Sequence, residues 1–441
     1  MIETAAGMAE THISWIFFLG DRAYKLKKPI KTAFLDFSTV ESRRASCHRE
    51  VELNRRLSPD VYLGVAEILG PTGQPCDYLV MMRRMPPDRR LSELISHDEP
   101  ATQCLGEVAR NVAAFHTTAQ TSAEISKSGS PDETWGRWES NLSEMDKFEG
   151  RVVDTQLHSH IARLARRYID GRAPLFESRM AQGRFRDGHG DLLADDIYCL
   201  EDGPRILDCI EFDDKLRHVD VLDDSAFLAM DLERLGATAE AEHFLERYRQ
   251  YSGDQFPMSL AHHYIAYRAH VRAKVACLRH EQGDEEAATE AKQLLDLSHR
   301  HLTLGQVMLV LVGGLPGSGK STLSKGLGDA LGGIVLRSDE VRKELAGVAK
   351  GSSAAPYEEG IYRRELTQLT YQTLLDRARM LLGNGGTVVL DASWTDSRWR
   401  PGALDVAEST SSVLVQIRCH VDMKEAARRI GERAEAGGDA S

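Results

Sequence analysis

The chain has 441 residues, 42% hydrophobic and 28% charged, enough for two domains of ordinary size that each bury a core. Its formal net charge of -12 argues against a nucleic-acid grip, which needs basic surface to neutralise phosphates. The cysteines (Cys47, Cys76, Cys104, Cys199, Cys209, Cys277, Cys419) include no C-x-x-C pair, so no disulfide framework or zinc site is read, and free thiols imply a reducing, cytoplasmic setting.

The first run, Thr11 to Leu19, is joined by Gly20-Asp21 to Arg22 to Lys28 and predicts a β-hairpin closed by Pro29, with no strand read before Thr11. The apolar part, Ile13 to Leu19, is too short for a signal segment or a membrane span. Ser38 introduces a helix from about Val40 to Leu57, with Pro59 beyond its end. A strand follows at Tyr78 to Met82. Helices dominate from about Leu91 to Arg184, with a break near Gly129 to Asp132. An acid-rich, non-helical segment runs from His189 to Asp224, and amphipathic helices continue to about Leu302. At Val307 the pattern changes to alternating strands and helices, the signature of a parallel α/β sheet. The domain boundary is placed near Leu304-Gly305.

The strongest motif lies just after that boundary. Gly314-Leu315-Pro316-Gly317-Ser318-Gly319-Lys320-Ser321, followed by Thr322, fits G-x-x-x-x-G-K-[ST] between a buried strand and a helix. Such a loop wraps phosphates in backbone N–H donors, and the helix start aims its positive end at the same anion. Lys320 is expected at the β- and γ-phosphates of ATP and the Ser321 hydroxyl at Mg²⁺. The strand Gly333 to Leu336 leads to Arg337-Ser338-Asp339. Asp339 there can accept a proton from a substrate hydroxyl, or cap its helix, and Arg342 can hold an anionic group. The strand Thr387 to Asp391 ends in a carboxylate for the Mg²⁺ shell. Ala392 and Ser393 follow it, where a hydrolysing motor usually carries an acid; this favours transfer to a bound acceptor. Arg428, Arg429 and Arg433 form either a lid over the phosphates or a solvated face.

From Val307 onward these residues resemble the small-molecule P-loop kinases of the gluconate/shikimate kinase-like and zeta-toxin-like group. That resemblance implies a fifth strand and a final helix, whereas four strands are read, near 307–312, 334–336, 387–391 and 413–418. The expectation is a domain shortened at its C-terminus.

In the first domain, His189-Gly190-Asp191 is followed by Asp195 and Asp196, then by Asp208 after the strand Arg205-Ile206-Leu207, and by Glu211, Asp213 and Asp214. So many carboxylates in a short span repel one another unless cations intervene. The pattern resembles the aminoglycoside-phosphotransferase-like kinases, with their H-G-D-x-x-x-x-N loop. The resemblance implies an α+β bilobal, protein-kinase-like domain over 1–304, with an N-lobe of about 1–88 and a C-lobe of about 89–304, ahead of the α/β P-loop domain at 305–441. It makes Asp191 the base that orients the acceptor hydroxyl, His189 a support for the loop, and Asp208 a Mg²⁺ ligand. Asp220 and Asp224 would brace the C-lobe. Lys25 would pair the α- and β-phosphates and Glu50 would fix it, although Lys27 shares its strand face. Two departures stand out: Asp196 occupies the place of the metal-binding Asn, and no glycine-rich loop precedes Lys25.

The stretches Glu10-Thr11-His12-Ile13-Ser14-Trp15 and Phe34-Leu35-Asp36-Phe37, with the two domains in this order, resemble a family of bacterial two-domain proteins joining these two kinase types. The implied activity is ATP- and Mg²⁺-dependent phosphoryl transfer to a small-molecule hydroxyl, a sugar or amino sugar, with no nucleic-acid or membrane partner. A nucleotide-sensing pseudokinase and a zeta-toxin-like kinase are the alternatives. Elsewhere, Arg268, Arg272 and Lys274 read either as a basic stripe facing the acidic cleft or as the solvated face of an amphipathic helix. The pairs His262-His263 and His299/His301 are not read as metal ligands, and Trp135 and Trp138 are read as core.

Overall fold

The computed structural model describes residues 7–11, 13–31, 35–347 and 364–435; His12 and Phe34 lie outside these. The chain opens with a five-stranded antiparallel sheet. Its strands are β1 (Gly7–Glu10), β2 (Ser14–Leu19), β3 (Arg22–Lys27), β4 (Tyr62–Leu69) and β5 (Pro75–Arg83), in spatial order β1-β2-β3-β5-β4. The predicted hairpin forms, with Ser14 opposite Lys27 and Leu19 opposite Arg22. Two strands correct the sequence reading. β1 precedes Thr11, where none is expected; all four of its residues are exposed, so no apolar alternation marks it. β4 is interrupted by a register shift between Tyr62 and Gly64, which breaks the period-2 pattern.

Helix Val40–Asn54 covers the sheet. Its N-cap is Thr39, whose Oγ accepts from the Ser42 N–H at 3.1 Å, one residue later than the Ser38 of the sequence reading. Ala23, Lys25 and Lys27 alternate inward along β3. The helix buries Arg43, Cys47, Glu50, Val51, Leu53 and Asn54, so Glu50 and the inward lysines lie beside an apolar cluster of Cys47, Val51, Val61, Tyr62, Tyr78 and Val80.

The C-lobe is helical. Its main helices are Thr102–Thr118, Pro131–Met145, Thr155–Asp170, Val221–Arg234, Thr238–Ser252, Met258–Glu281 and Ala287–Leu304. Trp138 sits in their core, 1% exposed. The break near 129 is real: a Cβ on Gly129 would run into the Phe185 ring. Two short ribbons, β6 (Phe185–Asp187) with β9 (His218–Asp220) and β7 (Ile197–Leu200) with β8 (Gly203–Ile206), carry the acid-rich segment. Against the expectation of free thiols throughout, Cys104 and Cys199 are disulfide-bonded, tying helix Thr102–Thr118 to β7. The pair is 95 residues apart, a separation with no recognisable spacing signature.

After Gly305 the chain enters a parallel sheet of β10 (Met308–Gly313), β11 (Ile334–Arg337), β12 (Val388–Asp391) and β13 (Val413–Arg418), in order β11-β12-β10-β13. Among the described residues these are its four strands, at the four expected places. Side chains alternate across it. Leu309, Leu311, Val388 and Leu390 join a core continuous with the C-lobe helices, while Val310, Val312 and Val389 pack on the other face. The two halves are also joined by hydrogen bonds. Arg167 donates to the carbonyls of Ser411 (2.9 Å) and Ser412 (2.7 Å), and Arg172 to that of Thr410 (2.7 Å). Arg172 is 1% exposed, and burial pushes its pKa down to about 10. Ser259 donates to the Gly385 carbonyl at 2.7 Å. Among the described residues no helix is long and apolar enough to cross a membrane.

A Cβ at Gly171 would collide with the Thr410 carbonyl at this joint. Gly171→Ala should therefore destabilise the protein by about 1–3 kcal/mol, seen as a lower melting temperature. An unchanged melting profile would contradict this packing.

Candidate functional site

In the first domain, β3 and helix Val40–Asn54 bring two lysines to one carboxylate. Lys25 Nζ lies 3.0 Å from Glu50 Oε1 and Lys27 Nζ 2.7 Å from Glu50 Oε2. Their other partners separate them. Lys27 is fully buried and also pairs with Glu211. Lys25 reaches Asp208 Oδ1 at 2.6 Å, and the Asp208 side chain is 47% exposed to the cleft. Burial disfavours the Lys25 charge, but Asp208 and Glu50 outweigh it and hold the ammonium well above the usual lysine range. Glu50 is buried too, yet the two lysines pull its pKa down to about 2. Asp208 holds its position with φ 64, a left-handed conformation costly for most side chains but tolerated by Asp.

The loop His189-Gly190-Asp191 is held from beneath. Asp224, in the first turn of helix Val221–Arg234, accepts from the backbone N–H of His189 (2.7 Å) and Gly190 (2.8 Å), with His116 Nε2 at 3.0 Å. Burial opposes the Asp224 charge, but His116 and the loop N–H groups prevail and keep its carboxyl below the usual range. His189 is 1% exposed, its Nε2 donating to the Leu207 carbonyl at 3.0 Å; burial keeps it below the usual histidine range, hence neutral. The same side chain thus ties the Asp191 loop to the strand end that carries Asp208. Asp220 caps its helix and pairs with Arg179. Asp220 and Asp224 therefore both have structural partners.

Asp191 and Asp196 remain half-buried. Burial, reinforced by the Asp208 charge and offset by Arg272 and Arg268, pushes Asp191 up to about 6. Burial with the charges of Asp208 and Asp191 raises Asp196 well above the carboxylate range. Asp191, Asp196 and Asp208 thus lie near enough to disfavour one another's charge, whereas among the described residues the carboxylate and imidazole ligand atoms that converge within 4.8 Å are those of Asp146, Glu149 and His158. Of the two readings of the basic stripe, Arg268 follows the one that faces the acidic segment. Arg268 is 6% exposed, grips Asp223 at 2.7 and 2.9 Å, and donates to the Gly190 carbonyl at 3.2 Å. Its apolar neighbours hide this role in the sequence; the nearby acidic segment is the only signal for it.

In the second domain, Gly314, Gly317 and Gly319 have φ of 146, 78 and 91, values that favour glycine. A Cβ at Gly314 would lie 2.6 Å from the Cys419 carbonyl, and one at Gly317 would lie 2.7 Å from that of Ala426. Lys320 Nζ donates to the Leu315 carbonyl at 2.9 Å, and helix Lys320–Leu331 starts there. Register places Arg337 opposite Asp391. Its guanidinium lies 3.3 Å from Ser321 Oγ and 3.4 Å from Asp391 Oδ2, so an arginine sits between the two residues expected to hold the metal. The sequence reading passed over this role of Arg337. Asp339 lies in the first turn of helix Ser338–Leu345 and pairs with Lys343 at 3.2 Å; no side-chain cap forms at that end. Arg342 is half-buried on the same helix. Helix Met423–Glu435 meets the P-loop through Ala426 and Ile430. Arg428 pairs with Glu425 and Glu432, and Arg429 with Glu425, on the surface of that helix. The side chain of Arg433 lies outside the described residues.

Glu50 gives a test of the first site. Its pKa falls from 4.5 to about 2 on folding, so its stabilisation is full above the unfolded value and is lost as pH drops towards 2. Glu50→Gln should cost about 3–5 kcal/mol at neutral pH, because two buried lysines lose their shared partner. It should also flatten the acid limb of the stability profile. Urea unfolding at neutral and acid pH checks both; an equal loss at every pH would contradict the pairing.

A family model described as an AAA domain matches residues 309–441. "Uncharacterized protein Rv2004c" of Mycobacterium tuberculosis (strain ATCC 25618 / H37Rv) is 42% identical over 434 residues, covering 98% of this chain and 87% of its own length. "Uncharacterized protein Mb2027c" of Mycobacterium bovis matches to the same extent. Among solved structures, a choline/ethanolamine kinase family protein from Mesorhizobium loti is 12% identical, covering 68% of this chain and 92% of its own, with a TM-score of 0.41. The GDP and kanamycin complex of APH(2")-IIia is 14% identical, covering 67% and 93%, with a TM-score of 0.44. The chain belongs to the family of these mycobacterial proteins, and its C-terminal part is a P-loop domain.

Proposed function

We propose that the protein is an ATP-dependent phosphotransferase acting on a hydroxyl of a small molecule, a sugar or amino sugar, within residues 1–304, and that residues 305–441 form a second nucleotide site. The observation that carries this reading is Lys25, held between Glu50 and Asp208 across the two lobes. Phosphoryl transfer needs little covalent chemistry from the protein and much positioned charge. Lys25 would pair the α- and β-phosphates. Lys27 is already committed to Glu50 and Glu211 in the core. Asp208 and Asp196 would hold Mg²⁺, which when bound neutralises charge on the phosphates. Asp191 accepts the acceptor's proton, and its pKa of about 6 leaves it ionised yet basic near neutral pH. His189, neutral and buried, positions that loop.

In the second site, Gly314 to Thr322 would cradle the phosphates with Lys320 swung outward from the Leu315 carbonyl. Ser321 and Asp391 would hold Mg²⁺, with Asp339 as base and Arg342 as anion holder. Arg337 then competes with the metal. A nucleotide-sensing role gains some support from Asp196, where burial with the charges of Asp208 and Asp191 disfavours the ionised carboxylate that a metal needs.

Asp191→Asn should lower ATP turnover with a panel of hydroxyl acceptors by about 10²–10⁴-fold while nucleotide still binds. Wild-type turnover in both Asp191→Asn and Lys320→Ala would end the proposal. Arg337→Gln should lower the Mg²⁺ concentration that half-saturates nucleotide binding, measured with a fluorescent ATP analogue. An unchanged Mg²⁺ requirement would show that Arg337 does not compete.

A further inference from the structure

Two carboxylates and an imidazole that neither nucleotide site uses meet at the join between helices Pro131–Met145 and Thr155–Asp170. One ligand atom from each of Asp146, Glu149 and His158 lies within 4.8 Å of the others. All three come from one short stretch of chain, so local folding assembles them. A 3₁₀ turn, Asp146–Phe148, ends the first helix, and the Glu149 N–H donates back to the Asp146 carbonyl at 3.1 Å. Gly150, at φ 72, turns the chain so that its N–H reaches the Val153 carbonyl at 3.0 Å. Asp154 then caps the second helix by accepting from the Leu157 N–H at 2.7 Å, and His158 follows in the first turn. Phe148, Val152 and Val153 are buried in the C-lobe core, which pins the turn from beneath.

The imidazole separates this cluster from a chance grouping of surface acids. His158 is 4% exposed, and its Nδ1 lies 2.7 Å from Glu149 Oε1. Its Nε2 is buried with no hydrogen-bond partner, so the carboxylate accounts for only one of the ring's two polar atoms. The ring stacks on that of His270, parallel within 4° at 5.8 Å, and both His270 nitrogens are also buried without partners. Asp146 is exposed, and among the described residues its carboxylate has no hydrogen bond or ion pair. The adjacent Lys147 does not neutralise it: its ammonium pairs with Glu281 at 2.7 Å and lies over the Phe148 ring.

We propose that Asp146, Glu149 and His158 form a binding site for a divalent transition cation of the Zn²⁺ class. An imidazole with two carboxylates is a donor set for such ions, whereas Mg²⁺ and Ca²⁺ take oxygen ligands. With bonds of about 2.0–2.1 Å, a tetrahedral ion holds its ligand atoms about 3.3 Å apart. The Glu149–His158 pair opens by roughly half an ångström to admit it, and the unpaired Asp146 side chain closes by no more than about 1.5 Å. The ion takes His158 Nδ1 in place of the proton shared with Glu149. Three protein ligands leave the fourth position open on the exposed Asp146 side, which suits reversible binding. The ion ties the turn to helix Thr155–Asp170. Through the stacked His158 and His270 rings it also stiffens helix Met258–Glu281, whose Arg268 holds the Gly190 carbonyl. The cation thus braces the wall behind the Asp191 loop and is distinct from the Mg²⁺ of a nucleotide.

Isothermal titration calorimetry of the full chain with ZnCl₂ tests this, in excess Mg²⁺ to fill oxygen-only sites. Asp146→Asn and His158→Gln should each weaken the binding of one Zn²⁺ per chain by at least about tenfold. Zn²⁺ held at surface histidines or thiols is unaffected by either change, so loss of one ion per chain is the readout. Asp146→Asn alters an exposed side chain without partners, so it leaves the fold intact and decides the outcome should His158→Gln not fold. No Zn²⁺ binding in excess Mg²⁺ would overturn the site. Native affinity and stoichiometry in Asp146→Asn, or in a folded His158→Gln, would overturn it as well.

Discussion

The first domain depends on one buried carboxylate. Glu50 faces two lysines of one strand, and those lysines face Asp208 and Glu211 from the other lobe. Glu50, Lys25 and Lys27 would each be expensive to bury alone; together the two ammonium groups and the carboxylate hold one another ionised. The network fixes the sheet on its helix, sets the lobes at a defined separation, and leaves Lys25 as the member that borders the cleft. The exposed side of Asp208 and the half-buried Asp191 and Asp196 complete a cleft lined by carboxyl groups.

A second layer holds the loop bearing Asp191. Asp224 binds two of its backbone N–H groups and Arg268 one of its carbonyls. Asp220, at the start of the same helix as Asp224, is gripped by Arg179, on the helix that follows Arg172. Arg172 in turn holds the turn just before β13 of the second domain. The joint between domains is thus made of buried, fully directional bonds rather than a flexible linker, and a single core runs through it.

The P-loop was legible because its chemistry is compressed into nine consecutive residues whose glycines have no substitute at those φ values. The H-G-D stretch was marked by its acidic neighbours and by resemblance, which also supplied the role expected of Asp208. Lys25 and Lys27 could not be told apart, since they share a strand face and the residue that separates them, Asp208, lies 183 positions away. Arg337 went unassigned, and Arg268 stands between two readings, because each looks in sequence like one of many surface arginines; only strand register or helix packing gives them their partners. β1, wholly exposed, and the Cys104–Cys199 bond have no local pattern to read. The lid assignment rested on helical spacing alone, and spacing fits pairing with Glu425 and Glu432 equally well.

Two sites for nucleotide in one chain is the claim on which the account turns. The most direct measurement is the stoichiometry of a non-hydrolysable ATP analogue bound to the native chain in the presence of Mg²⁺, by equilibrium dialysis at saturation. The account predicts two molecules per chain, falling to one in Lys320→Ala and to one in Lys25→Ala. A saturating value of one in the native protein would contradict it.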